Sequence, residues 1–118
     1  MKRELSIIER KRQEIAPVEQ DLKDTISNHV GYIDPEGNKS TGAKGLALQI
    51  NIRIKKAFSD DRDSFTYGLL QLLISLLEHL TQVIKLGELN HKTRKEIKRE
   101  VYQSIEDFGA LASKISRA

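Results

Sequence analysis

Between Phe65 and Leu86 the chain sets twelve apolar side chains, Phe65, Leu69, Leu70, Leu72, Leu73, Ile74, Leu76, Leu77, Leu80, Val83, Ile84 and Leu86. Wound as a helix at about 100° per residue, they cover about two-thirds of its circumference. Gln71, Glu78, Gln82 and Lys85 are left as a narrow polar strip. Such a helix has to be covered by several neighbours or by another subunit. Asp63 or Ser64 is placed to cap its start, and Gly87 follows as a C-terminal cap residue would. The run from Phe65 to Leu77 meets Glu78, His79 and Lys85 too soon to span a bilayer, which takes about 20 apolar residues. The segment reads as a core helix, not a membrane span.

The rest of the chain supplies the cover. Residues 3–28 form a charged amphipathic stretch in which Leu5, Ile8, Ile15, Val18, Leu22 and Ile26 recur at helical spacing. Pro17 removes a donor from its middle and predicts a kink or a break there. A last helix over about 91–116, with Asn90 as a candidate cap, aligns Ile97, Val101, Ile105, Phe108, Leu111 or Ala112, and Ile115 on one face.

Residues 46–58 admit two readings. Leu46, Leu48, Ile50, Ile52 and Ile54 alternate with Ala47, Gln49, Asn51, Arg53 and Lys55, the period of a half-buried strand. On a helix, Leu46, Ala47, Ile50, Ile54, Ala57 and Phe58 share one face, with Leu48 and Ile52 as exceptions. Helix is preferred because local choices agree with the surrounding fold, and a short strand at 46–54 is the alternative. The turn formers from Asp34 to Gly45 predict one long flexible loop at about 34–45. Gly37 and Gly42 have the spacing of a phosphate-binding loop, but Gly42-Ala43-Lys44-Gly45 replaces the required Gly-Lys-Ser/Thr.

Catalytic signals are absent. The chain has no cysteine, and His29, His79 and His91 lack metal-ligand spacing, so no metal or cofactor is expected. His79 reads as a hydrogen-bonded boundary residue, while Asp60, Asp61 and Asp63 read as capping acids. Nothing assembles a nucleophile, a base and an orienting group, and the reading is non-catalytic. With 31% charged residues, no apolar leader and no spanning segment, the expected location is the cytoplasm, without membrane association.

The net charge of +3 is unevenly spread: residues 1–30 carry six positive and six negative charges, 31–63 six and five, 64–90 one and two, and 91–118 seven and four. The C-terminal excess lies in Lys92, Arg94, Lys95, Lys98 and Arg99, a candidate phosphate-contact stripe. Lys92, Lys95 and Arg99 are expected to project away from the core and Lys98 to flank it. Arg94 lines up with the apolar stripe. Glu96 is within reach of Lys92 or Arg99 and would weaken the stripe by pairing. Tyr102 and Phe108, expected half-buried, give no obvious base-stacking platform.

The order Gly45-Leu46-x-x-Gln49-Ile50, a leucine-rich helix, Leu80-Thr81-Gln82-Val83-Ile84-Lys85-Leu86-Gly87-Glu88-Leu89-Asn90, and Phe108-Gly109-Ala110-Leu111 resembles the small four-helix-bundle family of ribosomal intervening-sequence proteins and of the accessory proteins of diversity-generating retroelements. The resemblance covers about residues 45–115. It implies an antiparallel four-helix bundle, self-association, and a basic surface for a reverse transcriptase or its RNA. Pro17 and the 34–45 loop depart from the pattern. Gln49-Ile50-Asn51-Ile52-Arg53-Ile54 is similar to the DNA-reading strand of Arc-type ribbon-helix-helix repressors, which would give Gln49, Asn51 and Arg53 base-contacting roles.

The expected fold is therefore a single all-α domain, an antiparallel four-helix bundle, homo-oligomeric because the 64–86 helix exceeds what three amphipathic neighbours easily cover. The expected function is an adaptor that binds RNA, DNA or a nucleic-acid enzyme through the C-terminal stripe. A protein-protein assembly factor and a ribbon-type DNA-binding regulator are the alternatives.

Overall fold

The computed structural model describes residues 2–28, 39–59 and 61–117, and four helices account for nearly all of them: α1, Lys2–Asn28; α2, Lys39–Ala57; α3, Tyr67–Leu89; and α4, Arg94–Arg117. They form a four-helix bundle measuring 52 × 24 × 23 Å. No strand occurs among the described residues.

Chain direction alternates from helix to helix, yet two of the four closely packed pairs run parallel. α1 packs on α3 and α2, and α4 on α3 and α2, so α2 and α3 stand at opposite corners. Lys11 lies over the Tyr67 ring at 5.3 Å, and Leu22 and Ile26 border the same cavity as Leu77, which sets α1 parallel to α3. Arg53 meets Tyr102 and Ala57 approaches Gly109, which sets α2 parallel to α4. The α2–α3 connection is pinned to α1 by the Arg62–Glu19 ion pair and by an Arg12 Nη2 donation to the Asp63 carbonyl at 2.6 Å. Phe65 is buried there with its ring 6.3 Å from that of Phe58.

α3 is the core helix. Leu70, Leu73, Leu76, Leu80 and Ile84 are fully buried, and Leu69, Ile74 and Leu77 nearly so. By length and composition alone Tyr67–Leu89 could cross a membrane; here its apolar surface is taken up by Ile15, Leu22 and Ile26 of α1, Ile50 and Ile54 of α2, and Ile97, Val101 and Ile105 of α4. Of its large apolar side chains, Leu72 and Val83 are half-buried, and Leu86 and Leu89 remain exposed at the C-terminal end and Tyr67 at the start. The buried hydroxyls of Thr25 and Thr81 donate to the carbonyls of Asp21 and Leu77, so neither is orphaned.

The helix ends differ from the sequence reading. Ser64 belongs to a single 3₁₀ turn, Arg62–Ser64, capped by Asp61, and α3 starts at Tyr67 under Thr66, whose hydroxyl accepts from the Leu69 amide at 3.3 Å. Gly87 does not end the helix. The end comes at Asn90, with His91 N–H donating to the Glu88 carbonyl and Lys92 N–H to that of Gly87. This closure needs a left-handed residue, supplied by His91 at φ 58°. Gly87 is instead buried inside the helix, where a Cβ would stand 2.6 Å from Ile97 Cγ1. Asn90 therefore closes α3, and Thr93 opens α4.

Of the kink or break expected at Pro17, the break does not occur: α1 continues through it. Pro17 and Gln13, whose carbonyl loses its donor, lie on the exposed side, where water can replace the bond, while Ile15 and Leu22 are held in the core. Of the loop expected at 34–45, residues 39–45 lie in α2, and the remainder, 34–38, falls outside the described residues.

Candidate nucleic-acid interface

Residues 46–54 are helical, so the ribbon arrangement of Gln49, Asn51 and Arg53 does not occur. Core formation decides it: Leu46, Ile50 and Ile54 are each 3% exposed, whereas Leu48 and Ile52, their equals on a strand, are 58% and 38% exposed. The helix also separates the three polar residues. Asn51 borders a cavity on the α1 side, while Arg53 turns toward α4 and lies over the Tyr102 ring at 3.8 Å from its centroid. Gln49 precedes Arg53 by one turn on that side.

The C-terminal stripe splits. Lys92, expected in solvent, is ion-paired with Glu100 and half-buried. Arg94 follows the apolar stripe and is half-buried. Lys95 lies two turns before Tyr102, with Lys98 and Arg99 on either side of the same line, so these three flank the Arg53–Tyr102 stack. Glu96 does not neutralise them. It closes a capping box with Thr93: the Glu96 amide donates to Thr93 Oγ1 at 3.1 Å, and the Thr93 hydroxyl donates to Glu96 Oε1 at 2.9 Å. Among the described residues Arg94, Lys95, Lys98 and Arg99 make no ion pair.

The other half of this face comes from α2, which the segment counts concealed. Residues 37–59 carry five basic residues and no acid. Asp34, Glu36, Asp60, Asp61 and Asp63 flank that stretch and cancel its charge in any sum taken over 31–63. Because α2 lies beside α4, Arg53 and Lys56 join Lys95, Lys98 and Arg99 on one surface. The absence of acids from a stretch of this length was the available signal. What brings the helices together is their contact at Gly109 and Ala57, where an added Cβ on Gly109 would stand 2.8 Å from Ala57 Cβ.

Tyr102 is half-buried, and one face of its ring is taken by the Arg53 guanidinium. Phe108 stacks with His79, centroids 5.7 Å apart, and His79 is within 3.1 Å of Ser104 Oγ. His29 lies outside the described residues. No group of three or more metal-ligating side chains occurs among those described. At the opposite end of the bundle, the Lys11 side chain is raised above its ordinary pKa of 10.5 by its hydrogen bond to Glu14, with Tyr67 adding to the effect.

Fold and surface together define a helical bundle carrying a two-helix basic face. No family model matches the sequence, and no curated protein or solved structure matches it.

Proposed function

We propose that the protein is a non-catalytic helical adaptor that holds nucleic acid against the α2/α4 face. One observation carries this reading. Arg53, Lys56, Lys95, Lys98 and Arg99 share a surface on which α2 contributes no carboxylate, while of the α4 acids Glu96 and Glu100 are engaged by Thr93 and Lys92 and Glu106 stands one turn beyond Tyr102, past the cations. Unpaired cations at helical spacing suit phosphates, whose condensed counterions they release. With Tyr102 already stacked on Arg53, contact is to the backbone and tolerant of sequence.

The reading is tested by fluorescence anisotropy with short labelled duplex and single-stranded probes across a salt series. Four to five phosphate contacts predict a log–log slope of about −4, or a loss of about two orders of magnitude between 50 and 200 mM salt. Joint replacement of Lys95, Lys98 and Arg99 by glutamate abolishes binding, Arg53→Ala lowers the slope by about one, and Lys92→Gln leaves it unchanged. Failure of the parent protein to bind any probe at low salt overturns the proposal. A reverse transcriptase or its RNA as partner, and self-association, belong to the same proposal on the strength of the family resemblance.

A further inference from the structure

On the far side of α2 from this face, α1 and α2 enclose an open groove of about 220 Å³. Its floor is apolar, with Leu22, Ile26, Ile50, Ile54 and Leu77 among its lining residues. That volume exceeds the roughly 150 Å³ known to accept a benzene-sized group, so one leucine or aromatic side chain fits. Beside it Leu48 and Ile52 form an exposed ridge, one turn apart. Leu48 also lines the groove, which makes ridge and groove a single apolar surface.

The charges around this surface select its occupant. Lys23 stands on the α1 rim and Asn51 on the α2 rim, with Lys55 one turn further along α2. Glu19, the carboxylate among the lining residues, is already paired with Arg62. Phosphate backbones gain nothing from an apolar floor and an exposed leucine–isoleucine ridge. Two copies docked through this face would set Lys23, Lys55 and Lys56 of each among the same cations of the other, with the Glu19 carboxylate already taken by Arg62, a like-charge contact that opposes association. We infer that the groove and the Leu48–Ile52 ridge dock an amphipathic helix of a partner protein, its apolar anchors flanked by aspartate or glutamate. One anchor enters the groove and its neighbours one turn away lie along the ridge, the usual helix-in-groove arrangement. α2 thereby serves two surfaces, a polyanion on the α4 side and an acidic helix on the α1 side.

Three fluorescein-labelled peptides of about five turns test this: one with leucines at i, i+3, i+4 and i+7 among glutamates, one with lysines for the glutamates, and one with serines for the leucines. The glutamate–leucine peptide binds the full chain, and methyl NMR signals of Leu48, Ile50, Ile52 and Ile54 move first. The serine peptide binds at least about tenfold more weakly, as does the first peptide to the Leu48→Ser/Ile52→Ser variant, since each buried leucine or isoleucine is worth about that factor, and the lysine peptide binds more weakly because its cations meet Lys23 and Lys55. Both replaced side chains are exposed, so the circular dichroism of that variant matches the parent. The joint Lys95→Glu/Lys98→Glu/Arg99→Glu variant, designed to remove nucleic-acid binding, leaves peptide affinity in place and separates the two surfaces. The inference is overturned if the glutamate–leucine peptide does not bind, if all three peptides bind alike, or if the perturbed methyls centre on Leu86 and Leu89 or on Leu111 and Ile115. Sedimentation showing self-association that Leu48→Ser/Ile52→Ser removes would assign the surface to a second copy, and also overturns it.

Discussion

Replacing Gly87 by alanine isolates the contact that holds α3 against α4. On helix propensity alone the change favours folding by about 1 kcal/mol, because glycine in a helix interior loses more backbone entropy than alanine. At this position the new Cβ would stand 2.6 Å from Ile97 Cγ1 and 2.9 Å from its Cδ1. Ile97 is 1% exposed, so either the side chain leaves its rotamer or the helices part. Overpacking of this kind costs about 1–3 kcal/mol, leaving a net destabilisation of about 1 kcal/mol. Gly45 supplies the control. It is exposed in α2 with nothing within 4 Å of a built Cβ, so Gly45→Ala shows the propensity gain without the clash. Urea unfolding followed by far-UV circular dichroism should place the two variants on opposite sides of the parent, separated by about 1–3 kcal/mol at unchanged m-value. In an Ile97→Ala background the clashing atoms are gone and the remaining Cβ stands 3.8 Å away, so Gly87→Ala there becomes stabilising. If Gly87→Ala stabilises the parent as much as Gly45→Ala does, the close packing of α3 on α4 at this point is refuted.

Three other substitutions probe the helix ends and the basic face. Gly109→Ala brings a Cβ to 2.8 Å from Ala57 Cβ and 3.5 Å from the Ala57 backbone, forcing α2 from α4; unfolding should show a loss of about 1–3 kcal/mol, and aromatic NMR a loosened Arg53–Tyr102 stack. His91→Gly relieves a side chain held at φ 58° and should stabilise the protein by about 1 kcal/mol, read as a rise in Tm. Thr93→Ala removes the cap of α4 and releases Glu96, at a cost of about 1 kcal/mol in the same unfolding assay. The freed Glu96 carboxylate should also weaken polyanion binding, which the anisotropy assay measures.

The architecture was legible where the apolar period is strong. Ile15, Leu22 and Ile26, the leucines of α3, and Ile97, Val101 and Ile105 are buried where their spacing puts them. Helix limits were less legible because capping depends on backbone geometry: residues 61–66 contain two hydroxyl residues and two acids able to cap, and only the 3₁₀ turn leaves the position to Thr66. The candidate site was half legible. Its α4 cations are consecutive enough to notice, but Lys92 and Glu96 differ from the sequence reading because their partners, Glu100 and Thr93, are fixed by the turn into α4. Arg53 and Lys56 stayed unconnected to them because the two helices lie far apart in the chain.

By itself the sequence determined that this chain is helical and that residues 64–86 lie at its centre, since burying so much apolar surface is the dominant favourable term in folding. It also set the cations and the lack of acids in α2. Tertiary structure decided the rest. Alternating and helical spacing over 46–54 compete on equal local terms, and the helix prevails because it alone puts Leu46, Ile50 and Ile54 into the shared core. Which helix stands beside which is set by where backbones can approach, at Gly87 on Ile97 and at Gly109 on Ala57, and it is that pairing that turns two separate basic helices into one surface.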